Sequence, residues 1–356
     1  MLAATQIHVG TGFPVMTRSA RWRQWLVATT ACAWGTAAAA ETNTIVIGGS
    51  STVFPISQAA IQRFKPTANA KGLRLEARSV GTSAGFREFC SGKLPIAAAS
   101  RPINIKELKA CESAGVRFLE LPIAFDAITI VVNTRNSWAK QISTTELRKL
   151  WQKAAQDKVK TWRQVNSQWP DQPIKLCGPG RDSGTYDYFN KAINGSADDS
   201  RRDYEASEDD AVIVRCVTKS PNALGYFGYD YYSSNRSKLR ALAVQGSKGS
   251  VIPSTETVQS SRYIPLSRPL FFYVNERVLK AEPLVRSFVA ATIEAGERIA
   301  KQAGAIPLPQ STYRLVTTKL YRNVLGSAYA GNLPVGLTVG QTLNRSFDDI
   351  KKPQFR

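Results

Sequence analysis

The sequence predicts an α/β protein of two lobes, and two observations carry that expectation. Strand, Gly/Ser/Thr-rich turn and helix start recur along the chain, the pattern of an open α/β sheet. Two long apolar strand patterns, residues 121–133 and 264–275, each run through a proline to Val-Asn and lie about 140 residues apart. A chain that leaves one lobe and later returns to it needs two such passes. Its 356 residues suffice for two domains of ordinary size, each with its own core.

Taken in order, Asn43-Thr44-Ile45-Val46-Ile47-Gly48-Gly49 reads as a strand running into glycines. Ser50, Ser51, Thr52 and Val53 follow, and then Ile56, Ala59, Ala60 and Phe64 recur at helical spacing. Residues 73–80 alternate like a half-buried strand and stop at Gly81-Thr82-Ser83-Ala84-Gly85, before a helix carrying Phe86, Phe89 and Cys90. A small-residue strand at 96–99 ends in Ser100 and Arg101, ahead of a helix at 105–114. Beyond the first long pattern, Ile174-Lys175-Leu176-Cys177 is a strand that Gly178-Pro179-Gly180 should end. Arg181, Asp182, Ser183, Gly184 and Thr185 then lead into a helix marked by Tyr186, Phe189, Ala192 and Ile193. Residues 211–216 read as a further strand, residues 283–296 and 313–325 as helices, and residues 331–356 as a mobile tail.

Four strand ends thus offer hydroxyls, glycines or arginine, and none offers a catalytic pair. In an open α/β sheet, ligands gather at the carboxyl ends of strands. Helix starts there expose N–H groups and the positive end of the dipole, which suits an anion. Ordinary capping of helices by Ser, Thr or Asp, with Asp182 or Ser183 as one such cap, is the competing explanation.

Residues 1–40 hold three arginines (Arg18, Arg21, Arg23), no acid, an apolar run from Trp25 to Trp34 and then four alanines. That order is a secretory signal with cleavage after Ala40, and Met16 would start it more naturally than Met1. Lipid attachment through Cys32 is the alternative, although Thr29 stands where an aliphatic residue is usual. Without the leader, the 47 basic residues less these three, against 27 acidic ones, leave a net charge of +17. The basic residues are scattered, which suits steering of small anions and argues against nucleic acid. The single histidine, His8, also goes with the leader, which excludes a serine–histidine pair and any histidine metal site. Cys90, Cys111, Cys177 and Cys216 remain, and an exported protein can join them as two disulfides in three ways. Sequential pairing is the simplest, and no CxxC spacing supports a metal.

The motifs Gly49-Ser50-Ser51-Thr52-Val53-Phe54-Pro55, Val80-Gly81-Thr82-Ser83-Ala84-Gly85-Phe86, Ala99-Ser100-Arg101-Pro102 and Asp182-Ser183-Gly184-Thr185 together resemble the phosphate-binding proteins that feed ABC-type phosphate importers, most closely the cyanobacterial type. Ser207-Glu208-Asp209-Asp210 and residues 223–228 fit as well. The resemblance spans roughly residues 44–329. It implies the class II periplasmic-binding-protein fold with two crossover hinge strands, lobe 1 from residues 41–127 and 270–330, and lobe 2 from 128–269. It implies a periplasmic monomer without cofactor or catalysis, with inorganic phosphate and a membrane permease as partners. Ser51, Thr52, Val53, Thr82, Ser100 and Arg101 would contact phosphate from one lobe, and Ser183, Gly184 and Thr185 from the other. Ser50, Arg181 and Asp182 are further candidates.

Arg101 departs from the family pattern, since many relatives have there an aspartate that accepts the proton of phosphate. Asp182 is expected to serve as that acceptor, and Arg101 as the buried countercharge. Another oxyanion (sulfate, molybdate or a phosphorylated small molecule) is the alternative ligand. A secreted phosphatase using Ser51 or Ser183, with Lys175 or a metal as helper, is the alternative activity.

Overall fold

The computed structural model describes residues 43–247, 249–338, 340–342 and 344–345. The expected signal segment, with Met16 and Cys32, and the last part of the tail lie outside the described residues. Four strands come first: β1 (Asn43–Gly49), β2 (Leu73–Ser79), β3 (Ile96–Ala99) and β4 (Phe118–Ala127). The chain then builds β5 (Thr129–Asn133), β6 (Gln141–Ser143), β7 (Lys175–Pro179), β8 (Glu205–Ser207), β9 (Ala223–Phe227), β10 (Leu239–Ala241), β11 (Ala243–Gly246) and β12 (Gly249–Val251). It returns with β13 (Ser267–Asn275).

Two five-stranded sheets result, ordered β2-β1-β3-β13-β4 and β10-β5-β9-β7-β8, beside a small sheet β12-β11-β6. Each five-stranded sheet is the centre of one lobe. Parallel pairing of β1 with β2 and β3, and of β7 with β8 and β9, follows from the intervening helices. The long apolar pattern at 121–133 is two strands rather than one. β4 belongs to the first sheet, β5 to the second, and Ile128 alone lies between them. Coming back, β13 pairs antiparallel with β4, so the outgoing and returning crossings lie side by side.

The helix Phe54–Ala70 packs Ile56, Ala59, Ala60 and Phe64 into the first core, as their spacing predicts, and Phe64 meets Phe288 edge-on at 5.5 Å. In the second lobe Trp151 packs against Phe189, Tyr204 and Tyr226, and Phe189 stacks on Tyr226 at 4.0 Å. These aromatics form part of the core of the second lobe.

Three expectations need correction. Residues 211–216 are not a strand but part of the helix Asp210–Lys219. Its β-branched residues mimic a strand, yet Ile213, Val214, Cys216 and Val217 are buried at helical spacing and Asp209 caps the start. Gly178 and Pro179 do not end β7, because Gly178 and Pro179 pair with Ala206 and Ser207 at its far end. The described part of the tail is packed rather than mobile: Leu337 and Thr342 are buried, and the Gly336 N–H donates to Tyr188 Oη at 2.8 Å.

Both disulfides follow the sequential pairing. Cys90–Cys111 joins two neighbouring helices, and Cys177–Cys216 ties β7 to the helix Asp210–Lys219. Each is worth about 3 kcal/mol for loops of this length. Among the described residues no helix is long and apolar enough to cross a membrane.

Candidate functional site

Capping can be tested at each strand end. The helix Phe54–Ala70 starts at Val53 and the helix Thr82–Cys90 at Gly81, and neither start has a side-chain cap. The hydroxyls of Ser51, Thr52 and Thr82 are therefore not spent on capping, although all three residues are buried. Ser183, in contrast, is a true cap, accepting from the Thr185 N–H at 3.1 Å. The turn after β1 is tight. Gly49 adopts φ +140°, and a Cβ there would lie 2.1 Å from the Ala98 carbonyl oxygen.

The strand ends of both lobes meet. Thr82 Oγ1 and Ser100 Oγ share a hydrogen bond at 3.2 Å, and Gly184 of the other lobe lies directly against them. A Cβ on Gly184 would stand 2.5 Å from each of those oxygens. Thr52 Oγ1 lies 3.4 Å from Thr185 Oγ1, again across the lobes. Val53 contributes a buried side chain to the core, while its N–H is turned to the Ser50 carbonyl at 3.2 Å. Ser50 is buried, and its N–H donates to the Ala98 carbonyl at 2.9 Å.

The charge at the centre of this cluster is Arg268, on β13, fully buried and not anticipated from the sequence. Its Nη2 donates to Thr185 Oγ1 (2.8 Å), to Thr52 Oγ1 (3.3 Å) and to Asp126 Oδ2 (2.8 Å), while Nε donates to Asp126 at 3.1 Å. Nη1 is buried and has no hydrogen-bond partner among the described residues. A buried arginine with an unspent donor beside hydroxyls from both lobes is suited to an oxyanion. The signal for it was present: residues 121–133 and 264–275 each hold one charged residue, Asp126 and Arg268.

Arg101 is equally buried but differently employed. Its N–H groups bind Asp187 (2.7 Å), both oxygens of Glu107 (2.7 Å each), Ser83 Oγ (2.9 Å) and the Pro102 carbonyl (3.1 Å). All five donors are spent within the protein, two carboxylates neutralise the charge, and the expected free countercharge is not there. Asp182 likewise turns from the cleft. Its carboxylate holds Arg87 of the first lobe at 2.7 and 3.1 Å, which keeps its pKa below the usual range, and the side chain is partly exposed. Arg181 is exposed. Behind this loop Glu208 accepts from the Asp182 N–H at 3.0 Å, and burial pushes its carboxyl up to about 7.

Asp210, part of the Ser207–Asp210 motif but not among the expected contacts, accepts from Ser51 Oγ at 3.3 Å and is 1% exposed. A groove of about 840 Å³ lined by Pro55, Gln62, Arg215, Lys238 and Lys301 contains none of the expected contacts.

A two-lobed α/β fold with paired crossing strands, and a buried hydroxyl and guanidinium cluster between the lobes, defines a solute-binding protein. The PBP superfamily domain matches residues 35–292. Protein SphX of Synechocystis sp. is 44% identical over 301 residues, covering 85% of this chain and 89% of that protein. The phosphate-binding protein PstS of Staphylococcus haemolyticus is 36% identical over 268 residues, covering 75% of this chain and 81% of that protein. A crystal structure described as a possible phosphate-binding protein from Planctomyces limnophilus matches with a TM-score of 0.59 and 39% identity, over 79% of this chain and 98% of that one. The chain belongs to the PBP superfamily, within the phosphate-binding protein family of these relatives.

Proposed function

We propose that this chain captures one inorganic phosphate between its lobes and delivers it to an ABC-type importer. The observation that carries the reading is Arg268, which touches hydroxyls from both lobes and keeps Nη1 for a ligand. Ser51, Thr52, Val53, Thr82 and Ser100 would bind from lobe 1, with Ser183, Gly184 and Thr185 from lobe 2. Arg268 supplies the countercharge, and Arg101 and Asp182 hold the closed lobes together. Lobe 1 is taken as residues 41–127 and 270–330, and lobe 2 as 128–269, with Ala127 and Ser267 paired at the crossing.

A buried oxyanion must replace its hydration with charge-assisted hydrogen bonds, each worth roughly 1.5–3 kcal/mol net. A donor set of this size supports micromolar or tighter binding, about −8 kcal/mol, after the cost of closure. Closing and opening about the two strands alternates capture with release. The family is one of solute-binding proteins, so we read the protein as a carrier rather than an enzyme, working as a monomer in the periplasm.

Calorimetric titration tests this reading. One phosphate per chain with micromolar or better affinity supports it, and tighter binding of sulfate or molybdate would replace phosphate as the ligand. Sustained release of chromophore from a phosphate ester would point to an enzyme instead.

A further inference from the structure

If the protein holds phosphate by closing its lobes, as read above, one acid outside the hydroxyl cluster bears on that closure. Glu208 follows β8, which pairs with the end of β7, and the Gly180 N–H donates to the Ser207 carbonyl at 3.0 Å. The Glu208 side chain thereby lies under the loop at 180–182. Its Oε1 accepts from the Asp182 N–H at 3.0 Å, and a Cβ on Gly180 would stand 2.1 Å from that oxygen. Oε2 is buried with no hydrogen-bond partner among the described residues. Asp182, held from below in this way, makes bonds that cross between the lobes. Its carbonyl accepts from the Ser83 N–H at 2.9 Å, and its carboxylate accepts from Arg87 at 2.7 and 3.1 Å. The approach is close, since a Cβ on Gly81 would stand 2.6 Å from the same carbonyl oxygen. Ser83 and Arg87 lie on the helix Thr82–Cys90, whose first residue is in the hydroxyl cluster. Asp182 directly precedes Ser183 and Gly184.

We propose that Glu208 is a positioning residue for closure: it props Asp182 in the orientation that grips Ser83 and Arg87 of the other lobe, and so sets how long phosphate is held. Asp182 and Asp187 stand near Glu208 as like charges and Arg87 as the opposite one, while Arg181 and Tyr204 lie beside the same loop. Burial pushes the Glu208 carboxyl up to about 7. The Asp182 N–H and Arg87 oppose that rise, and the Asp182 and Asp187 charges add to it. Of these groups only Arg87 belongs to the first lobe. Closing therefore brings a cation to Glu208 as well as to Asp182, and it favours the ionised carboxyl. By linkage, this contribution to closure is present above neutral pH and is lost as pH falls through about 7. The Arg87 pair is half-exposed and open to screening by salt, so the effect on release is a few-fold at low ionic strength.

The test is the rate at which radiolabelled inorganic phosphate leaves the protein in a rapid-filtration chase with excess unlabelled phosphate, at pH 5.5 and pH 8.5 in low salt. Phosphate itself titrates in this window, so each variant is read as a ratio to wild type at the same pH, in which the ligand's own ionisation cancels. Glu208→Gln keeps the acceptor for the Asp182 N–H and removes the charge. It should release phosphate roughly threefold faster than wild type at pH 8.5 and at the wild-type rate at pH 5.5. The difference at pH 8.5 should vanish when both proteins also carry Arg87→Ala. Gly180→Ala, which drives the Glu208 carboxyl off the loop, should speed release at both pH values and serves if Glu208→Gln does not fold. Wild-type release from Glu208→Gln at pH 8.5 or from Gly180→Ala overturns the assignment. So does a Glu208→Gln acceleration that is equal at both pH values or survives Arg87→Ala. Wild type that retains no labelled phosphate overturns the underlying reading instead, before any variant is compared.

Discussion

Arg268 and Asp126 stand opposite each other on the two strands that join the lobes, one residue to one residue in the antiparallel ladder, linked by hydrogen bonds of 2.8 and 3.1 Å. The pair puts buried charge on the strands that join the lobes. Breaking a buried pair by removing one partner costs about 3–5 kcal/mol, whereas replacing both with apolar residues is often tolerated. Asp126→Asn should therefore lower stability by about 3–5 kcal/mol in a denaturant titration. Arg268→Met combined with Asp126→Leu should recover most of that stability and still bind phosphate at least 100-fold more weakly than wild type. Recovery of binding in the double variant would show that Arg268 is only structural.

Gly184 offers a purely steric test. Its missing Cβ leaves the space that Thr82 and Ser100 occupy from the other lobe. Gly184→Ala should fold with an unchanged melting temperature in the absence of ligand, since the lobes can rest apart. Phosphate should then raise that temperature far less than it does in wild type.

Arg101 and Arg268 are both fully buried arginines, and their variants should separate. Arg101→Met leaves Glu107 and Asp187 without their cation and should cost about 3 kcal/mol of stability. Phosphate affinity of the folded protein should fall less than tenfold. A loss as large as that of Arg268→Met would return Arg101 to the ligand.

Acid should unfold the second lobe in part through Asp203. Its carboxylate takes two 2.7 Å bonds from the buried Arg201, which hold it down to about 2 from an ordinary 3.8. A depressed carboxyl contributes stability that is fully present above the unfolded value and is lost as pH falls through the folded one. Between pH 4 and pH 2 the wild type should therefore lose more stability than Asp203→Asn, measured by urea midpoints at both ends of that window.

Much of this architecture was legible because local signals agreed with the global fold. Ile56, Ala59, Ala60 and Phe64 predict their helix and are buried on it, and Gly49 and Gly81 mark real turns. The helix at 210–219 was misread because Val212, Ile213 and Val214 favour strands, and only Asp209 argued otherwise. At the site, hydroxyls at strand ends point to an oxyanion, but which arginine remains available depends on distant partners. Arg101 looked exposed to the ligand because Glu107 and Asp187 come from outside its motif, one six residues on and the other in the opposite lobe. Arg268 looked like core because pairing with Asp126 spans some 140 residues of sequence.

The C-terminal segment limits travel. Tyr329 and Leu337 are packed in the core of the first lobe with Phe86 and Phe271, while Gly336 is hydrogen-bonded to Tyr188 on a helix of the second. Separation of the lobes must either release the Tyr188 hydroxyl or pull Leu337 from the first core and draw out the chain between Tyr329 and Gly336, at roughly 3.4 Å per residue. Chain length there, rather than hinge stiffness alone, sets how wide the mouth can gape when phosphate leaves.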